Sequence, residues 1–309
     1  MHDLIIIGAG PAGLTAGLYA GRFKLKAMIL EKISIGGQII SSPWIDNYPG
    51  FPGGLSTQDL IERLKLQVDS VGVAIEMEEA LQIIPVSESK IPLYKVKAHD
   101  KTYETKTIII ASGAQPKRLG VEGENKLIGR GVSYCGTCDA PLFKNKEVVV
   151  IGGGDRAVEE AIFLTSYASK VTIVHRRQEF RASKTLEEKV KANPKIHFIL
   201  DSAAEEITGE IVVDSVKIRN CKTDAITRLS CQGVFIFVGI KPNTEFLKNL
   251  LNTNNHGFII TDQTLKTSRD GIYACGDCLE KSLYQVVNAC SDGAVAVDSA
   301  HKYLLLLKG

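Results

Sequence analysis

Short runs of β-branched residues alternate with stretches of helical spacing along the chain, the pattern of a parallel α/β architecture. Leu4–Ile7 reads as a buried strand, and helical spacing follows over Thr15–Phe23. Ala27–Leu30 predicts the next strand, and Thr107–Ala111 predicts another that ends in Ser112-Gly113. The pattern then restarts, with a strand over Glu147–Ile151, a helix over Ala157–Tyr167 and a strand over Lys170–Val174. Val234–Val238 is a strand ending in Gly239, and Gly271–Ala274 leads into Gly276-Asp277.

Two of these strand-to-helix junctions carry the same glycine pattern. Gly8-Ala9-Gly10-Pro11-Ala12-Gly13 is a GxGxxG, and Gly152-Gly153-Gly154-Asp155-Arg156-Ala157 is a GxGxxA. Such turns need glycine for tight geometry and for backbone approach to a pyrophosphate, while the helix N-terminus offers free N–H groups to the anion. Glu31 lies 23 residues after Gly8, at the end of the second strand, where a carboxylate accepts hydrogen bonds from a ribose. The same count from Gly152 reaches His175, followed by Arg176 and Arg177, with Arg181 close by. An acid repels a 2′-phosphate and arginine binds one with a bidentate fork. The first site therefore fits FAD and the second NADP. The fold class predicted is α/β with two Rossmann-like dinucleotide-binding domains. Gly113-Ala114-Gln115-Pro116 and Gly239-Ile240-Lys241-Pro242 read as paired linkers. They bound an inserted NADPH domain at 115–242, and 1–114 with 243–309 form a discontinuous FAD domain.

Composition narrows the partners. The 309 residues carry 37 Lys plus Arg against 35 Asp plus Glu, a net charge of +2, so no strong field of one sign calls for nucleic acid or an anionic membrane. Apolar runs are strand-length, far below the roughly 20 residues of a membrane helix. No basic stretch precedes the first apolar run, and a cytoplasmic location is expected. The seven cysteines are too dispersed for the disulphide framework of a small secreted domain.

Cys135-Gly136-Thr137-Cys138-Asp139 is a CxxC followed by an acid. Two thiols at this spacing close a small disulphide ring, and their chemistry needs a nearby proton donor and acceptor, a role Asp139 is placed to fill. Zinc would need two more ligands at close spacing, so no metal is expected. Cys275 and Cys278 form a second CxxC, but Gly276-Asp277 between them is better explained by the flavin domain. Those two cysteines fit as small buried hydrophobes.

In the order of these motifs, and over nearly the whole chain, the sequence resembles the low-molecular-weight, bacterial-type thioredoxin reductases. Gly36-Gly37-Gln38 and Asn47-Tyr48-Pro49-Gly50-Phe51-Pro52 belong to the same pattern. The resemblance implies a homodimer binding FAD and NADPH. It implies cofactor contacts at Gly8, Gly10, Pro11, Ala12, Gly13, Glu31, Lys32, Gly36, Gly37, Gln38, Asn47, Ala111, Gly113, Gly276, Asp277 and Gln285. For the nucleotide it implies Gly152, Gly154, Asp155, Arg156, Ala157, His175, Arg176, Arg177 and Arg181. NADPH would pass a hydride to the flavin, and the reduced flavin would then reduce the Cys135–Cys138 disulphide. Cys138 would face the flavin, Cys135 would attack thioredoxin or a thioredoxin-like protein, and one domain would rotate against the other between half-reactions. Three positions depart from the family. Arg156 replaces a usual Ser, where it either pairs with the pyrophosphate or crowds the dinucleotide. Tyr284-Gln285 replaces Arg-Gln, and Ala140-Pro141 stands where Gly is commoner. The alternatives are a reductase fed by another donor, ferredoxin or NADH, and a flavin thiol oxidase.

Overall fold

β-Branched runs that are apolar at every position make strands covered on both faces, which is the environment of a parallel sheet. The computed structural model describes residues 1–41, 44–45, 47–87 and 92–307. The chain divides into two compact units, one of residues 1–40, 48–115 and 241–309, the other of residues 41–47 and 116–240.

In the first unit the strand His2–Ile7 lies between Ala27–Glu31 and Thr102–Ile110, parallel to both. Ala74–Met77 extends the sheet beyond Ala27–Glu31, and Ile272–Ala274 pairs in parallel with the second half of Thr102–Ile110. The first half of that long strand pairs antiparallel with Leu93–Lys97, which in turn pairs with Gln82–Ser87. Leu4, Ile5, Ile6, Ile29, Ile108, Ile109 and Ile110 are fully buried. Helix Pro11–Arg22 packs along Val286–Leu306. The approach is close enough that a Cβ on Gly293 would run into the Ala12 carbonyl.

The second unit repeats the design. Its parallel sheet runs in the order Val132–Ser133, Gly233–Phe237, Glu147–Gly152, Lys170–Val174, Ile196–Ile199. Helix Asp155–Leu164 buries Val158, Ala161 and Leu164. An antiparallel sheet of Ser202–Thr208, Ser215–Asn220 and Ile226–Ser230 follows. The crossings Ala114–Pro116 and Ile240–Pro242 pair as a two-stranded ribbon. Lys117 N donates to Gly239 O and Asn243 N to Gly113 O, each at 2.9 Å.

Both helices after the glycine turns begin earlier than hydrophobic spacing predicts, at Pro11 and Asp155. Gly10 and Gly154 are extended N-caps, and Pro11 at the first helical position has its φ already fixed for the helix. Residues 41–47, read from sequence with the first segment, group with the second unit, where Trp44–Ile45 lies beside Gly136–Asp139. No helix among the described residues is long and apolar enough to cross a membrane.

Candidate active site

The first glycine-rich turn is built from backbone approaches that only glycine allows. Gly8 takes φ +111°, and a Cβ there would strike the Ala111 carbonyl; a Cβ on Gly13 would strike the Gly8 carbonyl. Strand end, helix start and the end of Thr102–Ile110 therefore close on one another at this point. Gly10 differs, because a Cβ there would meet nothing within 4 Å. The middle glycine faces open space, beside the N–H groups of a helix start.

Other predicted residues gather around this turn. Glu31 is buried, its Oε2 accepting from Ala9 N at 2.7 Å and its Oε1 from Ile33 N at 3.0 Å. Gly36 N donates to Ala9 O at 2.8 Å, and a Cβ on Gly37 would come within 3.3 Å of Gly10 Cα. Gly276, at φ +75°, lies against Ala12 and donates its N–H to Asp292 Oδ2 at 2.8 Å. Asp292 is ion-paired with Lys281. Pro11 and Ala111 are buried, and Gly113, Asp277 and Gln285 are half-buried. Gln285 is the residue before helix Val286–Leu306. Lys32 and Gln38 are exposed, Lys32 within 3.8 Å of Glu79. Asn47 falls in the segment that groups with the second unit. An open middle glycine, a helix N-terminus and a buried carboxylate at the next strand end fit a bound dinucleotide.

The second turn has the same opening and a different support. A Cβ on Gly154 would also meet nothing within 4 Å, and Ala157 is buried. His175 is buried with its ring directly against Gly153. It stacks on Phe180 at 5.6 Å and lies 3.1 Å from the Glu179 carbonyl through Nε2. Burial holds its pKa below the ordinary histidine value, and the neighbouring Arg181, Arg177 and Arg176 act in the same direction. His175 thus supports the turn from below. Arg176, Arg177 and Arg181 are exposed. Arg181 N donates to Gly153 O at 2.7 Å and Ser183 N to Asp155 Oδ1 at 2.8 Å, so this arginine-bearing segment is tied back onto the turn. Those cations and the open Gly154 fit a phosphorylated nucleotide.

Arg156 is the second residue of helix Asp155–Leu164. Its guanidinium lies 5.6 Å from the Phe237 ring and its Nη2 donates to the Tyr134 carbonyl at 3.4 Å. The side chain therefore reaches from the start of helix Asp155–Leu164 to the residue before the redox pair.

Cys135 and Cys138 form a disulphide with Cα atoms 5.3 Å apart, Cys135 capping the short helix Gly136–Asp139. Ser133, not singled out by its residue type, organises this turn. Its hydroxyl donates to Asp139 Oδ2 at 2.6 Å and accepts from Cys135 N at 3.1 Å. The carboxylate is thereby fixed beside the pair. Tyr134 donates to Glu124 Oε1 at 2.6 Å and accepts from Arg118 at 2.7 Å, which anchors the strand entering the turn. Cys275 and Cys278 are fully buried and unbridged. Burial pushes the Cys278 thiol up to about 12, and Cys275 well above its usual value, as expected of inert core residues. Among the described residues, no cluster of His, Cys, Asp or Glu could hold a metal.

Residues 2–293 match the pyridine nucleotide-disulphide oxidoreductase family. The thioredoxin reductase of Peptoclostridium acidaminophilum is 42% identical over 98% of this chain and 97% of its own. That of Listeria monocytogenes is 42% identical over 100% and 95%. The crystal structure of thioredoxin reductase from Streptococcus pyogenes superposes with a TM-score of 0.90 at 43% identity, covering 99% of each chain. With its disulphide, its two open glycine turns and these relatives spanning its whole length, the chain belongs to the flavin- and nicotinamide-nucleotide-dependent pyridine nucleotide-disulphide oxidoreductases, within the low-molecular-weight thioredoxin reductases.

Proposed function

We propose that this enzyme uses NADPH to reduce thioredoxin or a thioredoxin-like protein, with FAD held at the first turn and NADPH at the second, as a cytoplasmic homodimer. The observation that carries this reading is the Cys135–Cys138 disulphide with Asp139 fixed beside it, on the same unit as a glycine turn flanked by Arg176, Arg177 and Arg181.

When bound, the flavin supplies the two-electron relay between nicotinamide and disulphide. The chain's own residues do the rest. Gly10 and Gly154 leave room for each pyrophosphate against a helix N-terminus, Glu31 takes the adenosine ribose of FAD, and the exposed arginines take the 2′-phosphate of NADPH. In the reduced pair, Cys135 as thiolate attacks the acceptor disulphide and forms a mixed disulphide. Cys138 then attacks Cys135 Sγ, re-forming the intramolecular bond and releasing the acceptor as a dithiol. Asp139, oriented by Ser133, moves the protons that these steps require. Disulphide and NADPH site occupy one unit and take turns, with the paired crossings as pivot.

The test is steady-state reduction of thioredoxin by the purified flavoprotein. NADPH-driven turnover that falls to background in Cys138→Ser, with flavin still bound, is the expected result. Full turnover in that variant, or electrons passing only to oxygen, overturns the reading.

A further inference from the structure

Beneath the redox disulphide lies a carboxyl group that the thiol chemistry above does not use. Glu160 stands one helical turn after Arg156 on helix Asp155–Leu164, so the two side chains share a face. Its Oε2 atom is buried, with no hydrogen-bond partner among the described residues. It sits so close under Gly136 that a Cβ at that position would run into it. The Thr137 backbone hydrogen-bonds to the same carboxyl. Thr137 Oγ1 is 3.4 Å from Cys135 Sγ. Thr137 therefore touches the acid with its backbone and the attacking sulfur with its side chain.

Among the described residues, few charges act on Glu160. Arg156 and Glu159 lie on its own helix, and the redox helix above it carries Cys138 and Asp139, with Cys135 as its cap. Burial pushes the Glu160 carboxyl above the usual carboxylate range, while Arg156 and the Thr137 hydrogen bond draw it back. A negative charge appearing close by acts on such a carboxyl in the same sense as its burial, favouring the protonated form. Reduction of the disulphide supplies that charge. Two electrons break the S–S bond and leave two sulfurs that are thiolates until protonated.

We propose that Glu160 is a positioning residue of the redox centre, which takes up a proton when the Cys135–Cys138 bond is reduced and releases it when the bond re-forms. This rests on the redox role given to the pair above. The balance is two electrons and two protons per cycle, one proton on the Cys138 sulfur and one on Glu160. Cys135 is then left as thiolate, its attacking form. When the acceptor disulphide removes the two electrons, both protons leave with them.

Redox-difference infrared spectroscopy on the full-length flavoprotein, reduced with dithiothreitol, tests this. A band of protonated carboxyl is expected to rise on reduction in the parent protein and in Asp139→Asn, and to be missing in Glu160→Gln. Glu160→Gln should also take up one proton fewer per reduced pair in the pH dependence of its midpoint potential. If Glu160→Gln does not fold, glutamate labelled with carbon-13 at the side-chain carboxyl should shift the band in the parent protein. A band that survives Glu160→Gln, or is insensitive to the glutamate label, overturns the proposal. Thiol counting separates the two levels: no new thiols on reduction overturns the redox role of the pair itself, whereas two new thiols without the band overturn only the role of Glu160.

Discussion

The two glycine-rich turns present nearly the same opening to solvent and differ in what stands behind it. Behind Gly8–Gly13 is a buried carboxylate, Glu31, held by the N–H groups of Ala9 and Ile33. Behind Gly152–Ala157 is a buried imidazole, His175, and past it three exposed arginines. The last position differs too. Gly13 lies against the Gly8 carbonyl with no room for a methyl group, whereas the second turn accommodates Ala157. In the first turn Gly276 and Gly293 press on Ala12, and in the second a charged segment is tied back onto the turn through Arg181 N and Ser183 N. On the proposed reading, the shared glycine pattern marks a dinucleotide site in each unit, and the differing residue after the next strand assigns FAD to the first and NADPH to the second.

The strongest way to break the comparison is to exchange the last positions. Gly13→Ala should force backbone apart and destabilise the first unit by about 1–3 kcal/mol, with loss of flavin, whereas Ala157→Gly should cost only about 0.5–1 kcal/mol. Thermal unfolding with flavin content as a second signal distinguishes them. Next in size are the middle glycines, where a side chain enters open space. Gly10→Val and Gly154→Val should both fold, the first losing flavin and the second keeping it while its Kd for NADPH rises at least about tenfold, roughly 1.4 kcal/mol. Equal damage to both ligands in either variant contradicts separate sites. Arg176→Ala with Arg177→Ala should raise the KM for NADPH by about 10- to 100-fold, the loss of charged hydrogen bonds worth roughly 1.5–3 kcal/mol, and leave the KM for NADH within about threefold.

The smallest effect is on pH. The folded pKa of His175 lies below its ordinary value of 6.5. As pH falls through that value the unfolded chain binds the proton first, so the second unit loses stability on the acid side and gains none on the alkaline side. Denaturant unfolding across that range should show this slope, and His175→Gln should flatten it.

Much of this was legible in the chain itself because glycine, β-branched residues and charge at fixed offsets have few other uses. The strands around Leu4–Ile7, Lys170–Val174 and Ile272–Ala274, both turns and the CxxC pair are of that kind. Other elements were not. Val286–Leu306 is rich in Val and Ala and broken by Gly293, so its sequence has weak helical spacing; its place is set by contact with Ala12. The antiparallel sheet starting at Ser202 has exposed, mixed-polarity edges such as Ile226–Ser230, where alternation is blurred. Thr57–Ser70 carried a readable signal in Ser56, whose hydroxyl accepts from Asp59 N at 3.0 Å. At the redox centre, the Arg156 to Glu160 spacing of one turn was the available clue to Glu160. The destination of Arg156 was not legible, because only tertiary structure brings the Tyr134 carbonyl within its reach.

The most direct test of the two-turn account is an anaerobic titration of the purified flavoprotein, with NADPH and separately with NADH, following the bleaching of the flavin. The account predicts stoichiometric bleaching by NADPH and an oxidised flavin at the same concentration of NADH. A flavin that dithionite reduces but neither nucleotide bleaches would contradict it, and would mean that the second turn, with Arg156 turned toward Tyr134, does not serve as an NADPH site.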